Sequence, residues 1–286
     1  MRRTVVAVFV VVAVVLAGAA PAGAGVDADV TKAFTGFVAG VAAGKPLPAG
    51  LELFITPLRD DGAVPADLAP VRALLPAAKV KVLQVVASKS GRSAWLAAEI
   101  AAQVPVAGKK PRADVIRASA FLAYDGAAWT VRATHWSIAV KNVKPGICGD
   151  MGPEWQVTPD VPAGLVTAVK HVLELLDEDR PASFAALLSD DKRALVFGSA
   201  PKETFIGGAK IKGVFKKWSV SLPYWDRDDA ALPAVAGVGP DGELSWMAVA
   251  VAYTRLCTTY RALFVMTPDQ GAWKIVHQHY SAPIAP

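Results

Sequence analysis

Apolar residues follow two different periods along this chain, and the switch from one to the other occurs twice. In LVTAVKHVLELLDEDRP, Leu165, Val169, Val172, Leu173 and Leu176 share one stripe, with Lys170, His171, Glu174 and Asp177 mostly opposite. That spacing predicts an amphipathic helix ended at Pro181. VTKAFTGFVAGVAAGKP carries the same signal and ends at Pro46. In RALFVMTPDQGAWKIVHQHYS an apolar strand, a turn with Asp and Gly, and a strand opening at Trp273 predict a β-hairpin. Strict alternation would place Trp273, Ile275, His277, His279 and Ser281 on one face of the second strand. Lys274, Val276, Gln278 and Tyr280 would take the other.

The hairpin has an upstream copy. RASAFLAYDGAAWTVRATHWS aligns with it without a gap, pairing Arg117 with Arg261, Asp125 with Asp269, Trp129 with Trp273, His135 with His279 and Ser137 with Ser281. SGRSAWLAAEIAA and DGELSWMAVAVAY match through Trp95 and Trp246. Each copy therefore reads as helix, short strand, helix, then three or more long antiparallel strands. This is an α+β architecture with helices on one face of a curved sheet. The expected division is residues 1–25, a first copy over 26–141, a Pro/Gly-rich linker over 142–160, and a second copy over 161–286. Trp129 and Trp273 should be buried at equivalent places.

With 53% hydrophobic and 19% charged residues, the chain is globular rather than disordered. MRRTVVAVFVVVAVVLAGAAPAGAG has a basic start at Arg2 and Arg3, an apolar run from Val5 to Leu16, and the small triplet Ala22-Gly23-Ala24. This predicts a cleavable secretory signal and a periplasmic or secreted protein, with no membrane span after cleavage. The competing reading is an uncleaved anchor, for which the run is short against the roughly 20 residues of a bilayer span. In an oxidising compartment Cys148 and Cys257 could form a disulfide, though sequence does not fix their separation. The formal charge of +5 would raise nucleic-acid binding for a cytosolic protein, and export argues against it. Lys210, Lys212, Lys216 and Lys217 read as the solvated face of a short helix that buries Ile211, Val214, Phe215 and Trp218.

The order of helix, FGSAPKETFIGGAKIKGVFKKW, SWMAVAVAYTRL and YRALFVMTPDQGAWKIVHQHYS resembles a SnoaL-like domain of the nuclear-transport-factor-2-like superfamily. GAWKIVHQHYSAPIAP and AYTRL are also similar to the association domain of calcium/calmodulin-dependent kinase II. The resemblance covers most of Asp160 to Ser281. The first copy is degenerate, with TPLRDDGAVPADLAP in its middle. The resemblance implies two tandem cone-shaped, cystatin-like domains, each a curved antiparallel sheet packed against helices around a pocket. It also implies pairing through the sheet faces, inside one chain or between chains as a homo-oligomer.

Four groups of residues are candidates for chemistry. His277 and His279 could share a metal ion, but zinc sites take a third protein ligand and the first copy has Ala133 in place of His277. The resemblance turns these histidines away from the pocket, toward a structural or interface role, and no cofactor is expected. It also implies that Arg255 lines the pocket, with Arg261 and Tyr280 as further ligand-binding candidates; a guanidinium there would hold a carboxylate. Asp226 and Tyr224 form the acid–base pair that an isomerase or dehydratase of the ketosteroid-isomerase kind would need. The favoured function is non-enzymatic binding of a small, anionic ligand or a protein partner. The alternatives are an enzyme acting on an apolar ring substrate and a purely structural assembly module.

Overall fold

Val26, Val30, Phe34, Val38 and Val41 recur every three or four residues and form the buried stripe of the first helix, α1 (Val26–Ala42). Asp27 and Asp29 lie in its first turn, where negative charge is favoured. Its C-terminus is closed by a Schellman motif. Gly44, at φ 73°, donates to the Val41 carbonyl, and Lys45 donates to that of Gly40. Arg72 Nε donates to the same Val41 carbonyl at 3.1 Å. The computed structural model describes residues 25–55, 69–75, 79–104, 108–139, 163–177, 180–218, 234–253 and 258–282.

The first half continues with β1 (Glu52–Ile55), α2 (Ala69–Arg72), β2 (Val80–Ala87), β3 (Ser93–Val104), β4 (Arg112–Tyr124) and β5 (Trp129–Ile138). The second half comprises α3 (Ala163–Asp177), α4 (Pro181–Leu187), β6 (Leu195–Phe197), β7 (Thr204–Ile206) and α5 (Gly208–Trp218). It ends with β8 (Ala234–Val238), β9 (Ser245–Tyr253), β10 (Thr258–Asp269) and β11 (Ala272–Ser281). One sheet has the order β1-β5-β4-β3-β2 and the other β7-β6-β11-β10-β9-β8. Apart from β7, the two orders are the same, each with a short parallel strand beside the last long one. Leu165 and Val172 of the predicted stripe are buried, together with Leu175; on α5, Ile211 and Phe215 are buried while Lys210, Lys216 and Lys217 are exposed. Gly208 admits no side chain, because a Cβ there would lie 2.2 Å from the Ser189 carbonyl oxygen.

Both closing hairpins carry a β-bulge at the same place in the repeat. Phe121 pairs with Ala133 and Leu122 with Val131, leaving Arg132 as the extra residue. Val265 pairs with His277 and Met266 with Ile275, leaving Val276. A bulge shifts the alternation by one residue, which corrects the single face expected from sequence. Trp273 and Ile275 pack toward the helices, with Tyr280 and Ala282, whereas His277, His279 and Ser281 face the opposite sheet. Trp129 and Trp273 do occupy equivalent places at the edge of the helix-side cores, but both are only half-buried.

Three apolar cores result. One lies between α1, α2 and the first sheet, another between α3, α4, α5 and the second sheet. The third joins the two sheets face to face, with Trp95, Ala97, Phe121 and Ala133 meeting Phe197, Trp246, Leu263, Val265 and Val276.

Candidate functional site

The histidines lie in that third core. His135, His277 and His279 are each no more than 1% exposed. Nδ1 of His277 is 2.8 Å from the Leu195 carbonyl, which can only accept, so Nδ1 carries the proton and Nε2 is an acceptor. Ser119 therefore donates to His277 Nε2 at 2.6 Å and accepts from His279 Nδ1 at 2.9 Å. His279 Nε2, left as an acceptor, takes the Ser137 hydroxyl at 2.7 Å. The backbone carbonyl thus fixes the tautomers of a directed chain, Ser137 to His279 to Ser119 to His277 to Leu195.

The contacts are reciprocal between the repeats. His279 meets Ser137, and its counterpart His135 meets Ser281 at 2.8 Å. The two equivalent imidazoles stack on each other with ring centroids 4.1 Å apart. Self-complementary contacts of this kind are what a two-fold interface requires; here both surfaces belong to one chain. Arg117 locks the rim, donating to the carbonyls of Gly198, Ala200 and Pro201 at 2.7, 2.9 and 2.8 Å, and to Thr204 Oγ1 at 3.1 Å. At another edge the Asp241 carboxylate accepts the hydroxyls of Ser88, Ser90 and Ser93 at 2.5, 2.6 and 2.8 Å.

Burial dominates the electrostatics of this layer. It pushes His135 and His277 down to about 3 and His279 well below the usual imidazole range, aided at His135 and His279 by neighbouring arginine and histidine charge. Ser119 and His277 have the contact of a nucleophile and its base, yet both are sealed from solvent and substrate. Among the described residues, no group of three or more His, Cys, Asp or Glu is placed to hold a metal ion.

The other sequence candidates do not converge. Arg261 is 6% exposed and lies on the β10 face of Leu263 and Val265, the face that meets the other sheet; burial lowers its guanidinium to about 10. Tyr280 lies on the opposite, helix-side face, donates to Gln278 Oε1 at 2.5 Å and packs edge-on to Phe264. The crevice lined by Leu188, Ile211, Ile275, His277 and Gln278 has no room for a water molecule. Arg255, Asp226, Tyr224, Cys148 and Cys257 lie outside the described residues.

A cavity of about 240 Å³ opens instead in the first half, between α1, the 45–48 segment and the start of β5. Ala33, Gly36, Phe37 and Gly40 form one wall, Trp129 and Val131 another, and Lys45, Pro46 and Leu47 the rim. A Cβ on Gly36 would meet nothing within 4 Å, so the missing side chain leaves open space. The stem of Lys45 crosses Gly40, where a Cβ would be 3.7 Å from its Cδ. The helix-ending motif fixes the backbone that carries this lysine. None of these residues was expected from sequence to line a site; Trp129 and Pro46 were read only as a repeat tryptophan and a helix stop. The available signal was the Gly36–Gly40 pair with Gly44-Lys45 at the helix end.

Residues 166–285 match the family described as the SnoaL-like domain. This part of the chain is similar to a SnoaL-like domain. Similar solved structures include a candidate calcium/calmodulin-dependent protein kinase II association domain from Xanthomonas campestris, 16% identical, covering 46% of this chain and 95% of that one, TM-score 0.35. A candidate ketosteroid isomerase from Parabacteroides distasonis is 14% identical over 46% of this chain and 96% of its own, TM-score 0.35. A cystatin-like fold protein from Burkholderia xenovorans is 17% identical over 45% and 96%, TM-score 0.34. No curated protein matches the chain. A SnoaL-like fold supports a ligand-binding or isomerase-type domain; here the SnoaL-like half meets the first half through its sheet and turns its helices away.

Proposed function

We propose that this is an exported, non-enzymatic protein in which two fused SnoaL-like halves support the binding of a small apolar ligand. The observation that carries this reading is the α1–β5 cavity, whose walls are aliphatic and aromatic and whose charged lining is a lysine, with no carboxylate or histidine among the described residues that line it. General acid–base chemistry needs a positioned group to take the proton, whereas adsorption of an apolar molecule needs only shape and apolar surface. The sequence pattern of Arg2, Arg3, the Val5–Leu16 run and Ala22-Gly23-Ala24 supports export.

Calorimetry with naphthol, a small neutral probe, tests the reading on the full chain. Saturable binding by the wild type that is lost in Gly36→Leu is the expected result. Equal binding by both proteins, or by neither, would refute it.

A further inference from the structure

We infer that the cavity beside α1 takes a small aromatic carboxylate, its ring against Phe37 and Trp129 and its carboxylate on Lys45. The inference rests on the binding role proposed above and adds the chemical class of the ligand.

Size comes first. A volume of about 240 Å³ equals the liquid share of about eight waters and falls below the ~300–1,000 Å³ of sites for drug-sized molecules. The occupant is therefore small. Shape comes from Gly36, whose missing side chain leaves a slot on the α1 wall, bounded by the Lys45 stem lying over Gly40 and by Trp129 on another wall. A flat ring fills such a slot, and two aromatic side chains offer it stacked or edge-on contact.

Charge supplies the rest. Lys45 is the charged residue of the lining, and it makes no ion pair among the described residues. One ammonium matches one negative charge, which favours a monocarboxylate over a dianion. Because Lys45 is exposed, its share is modest and salt-sensitive.

Calorimetry on the full chain with naphthoate and naphthamide, at low and high salt, decides the matter. The acid should bind about fivefold more tightly than the amide at low salt, the upper end for an exposed ion pair. In Lys45→Met the acid and the amide should bind equally, and in the wild type salt should reduce the preference for the acid. Equal binding of acid and amide, both lost in Gly36→Leu, would overturn the carboxylate assignment and leave the binding role standing. No binding of naphthoate, naphthamide or naphthol would overturn both.

Discussion

Ser119 Oγ lies 2.6 Å from His277 Nε2 in the sheet–sheet core, and the repeat counterparts of this polar pair are Leu263 and Ala133 in the same core. A hydroxyl and an imidazole in one position thus answer a leucine and an alanine in the other. Ser119→Ala would strand the acceptor nitrogen of His277 and the donor nitrogen of His279, costing about 1–3 kcal/mol for each buried group left unpaired. The double variant Ser119→Leu/His277→Ala copies the twin pair and should recover part of that loss. Denaturant unfolding of the wild type, Ser119→Ala and the double variant checks this; a double variant less stable than Ser119→Ala would contradict the equivalence.

Acid should weaken the fold through the same layer. His135 and His277 titrate near 3 in the folded chain, and His279 is also depressed, against about 6.5 when unfolded. Between those values the unfolded state binds more protons, so stability is full above pH 6.5 and falls as pH drops toward 3. Each histidine adds a slope of up to about 1.4 kcal/mol per pH unit. Asp241 acts in the same direction: burial raises its carboxyl, the three serine hydroxyls outweigh that, and the folded value lies below the unfolded one. Urea unfolding from pH 7 to 4 should show a steep decline that becomes shallower in His279→Gln. A flat profile would contradict burial of neutral histidines.

Arg117 should be a structural anchor that lysine cannot replace. Its guanidinium reaches three carbonyls and a hydroxyl at once, a fork an ammonium lacks. Arg117→Lys is expected to lower stability by about 1.5–3 kcal/mol, read as a lower midpoint in denaturant. An unchanged midpoint would show that the rim contacts contribute little.

Gly36→Leu should separate stability from binding. Gly36 sits inside α1 with open space where a Cβ would go, and replacing a helical glycine gains about 0.8–1 kcal/mol. For a protein of this size that raises Tm by roughly 2–4 °C. The leucine would also fill the cavity, so Tm should rise while probe binding disappears. A lower Tm would mean that the space over Gly36 is not open.

The stripes of α1 and α3 and the two hairpins were legible because burial imposes their periods directly. The bulges were not, since Arg132 and Val276 look like ordinary strand residues and only pairing with β4 and β10 makes them extra. That one-residue shift is why Ile275 and His277 were expected on one face and lie on two. The role of the histidines was hidden for a related reason: their order in sequence does not show that a second sheet covers them. Recurrence of His135 with His279, and its failure at Ala133, suited a structural strand better than a two-ligand metal site, and only the family resemblance implied a structural or interface role. The cavity escaped notice because it depends on absent side chains at Gly36 and Gly40 and on a helix end that positions Lys45.

The strand histidines close the two halves on each other, and the proposed ligand site lies on the far, helix side of the first sheet. A two-dimensional NMR titration of the full chain with naphthoate at pH 7 tests both parts together. Signals of the Trp129 indole and the Gly36, Gly40 and Lys45 amides should shift and saturate. His277 and His279 should remain neutral, with the proton on Nδ1, throughout. Saturating shifts centred on the histidine rings or on Tyr280, or a charged imidazole among the three at pH 7, would contradict the account.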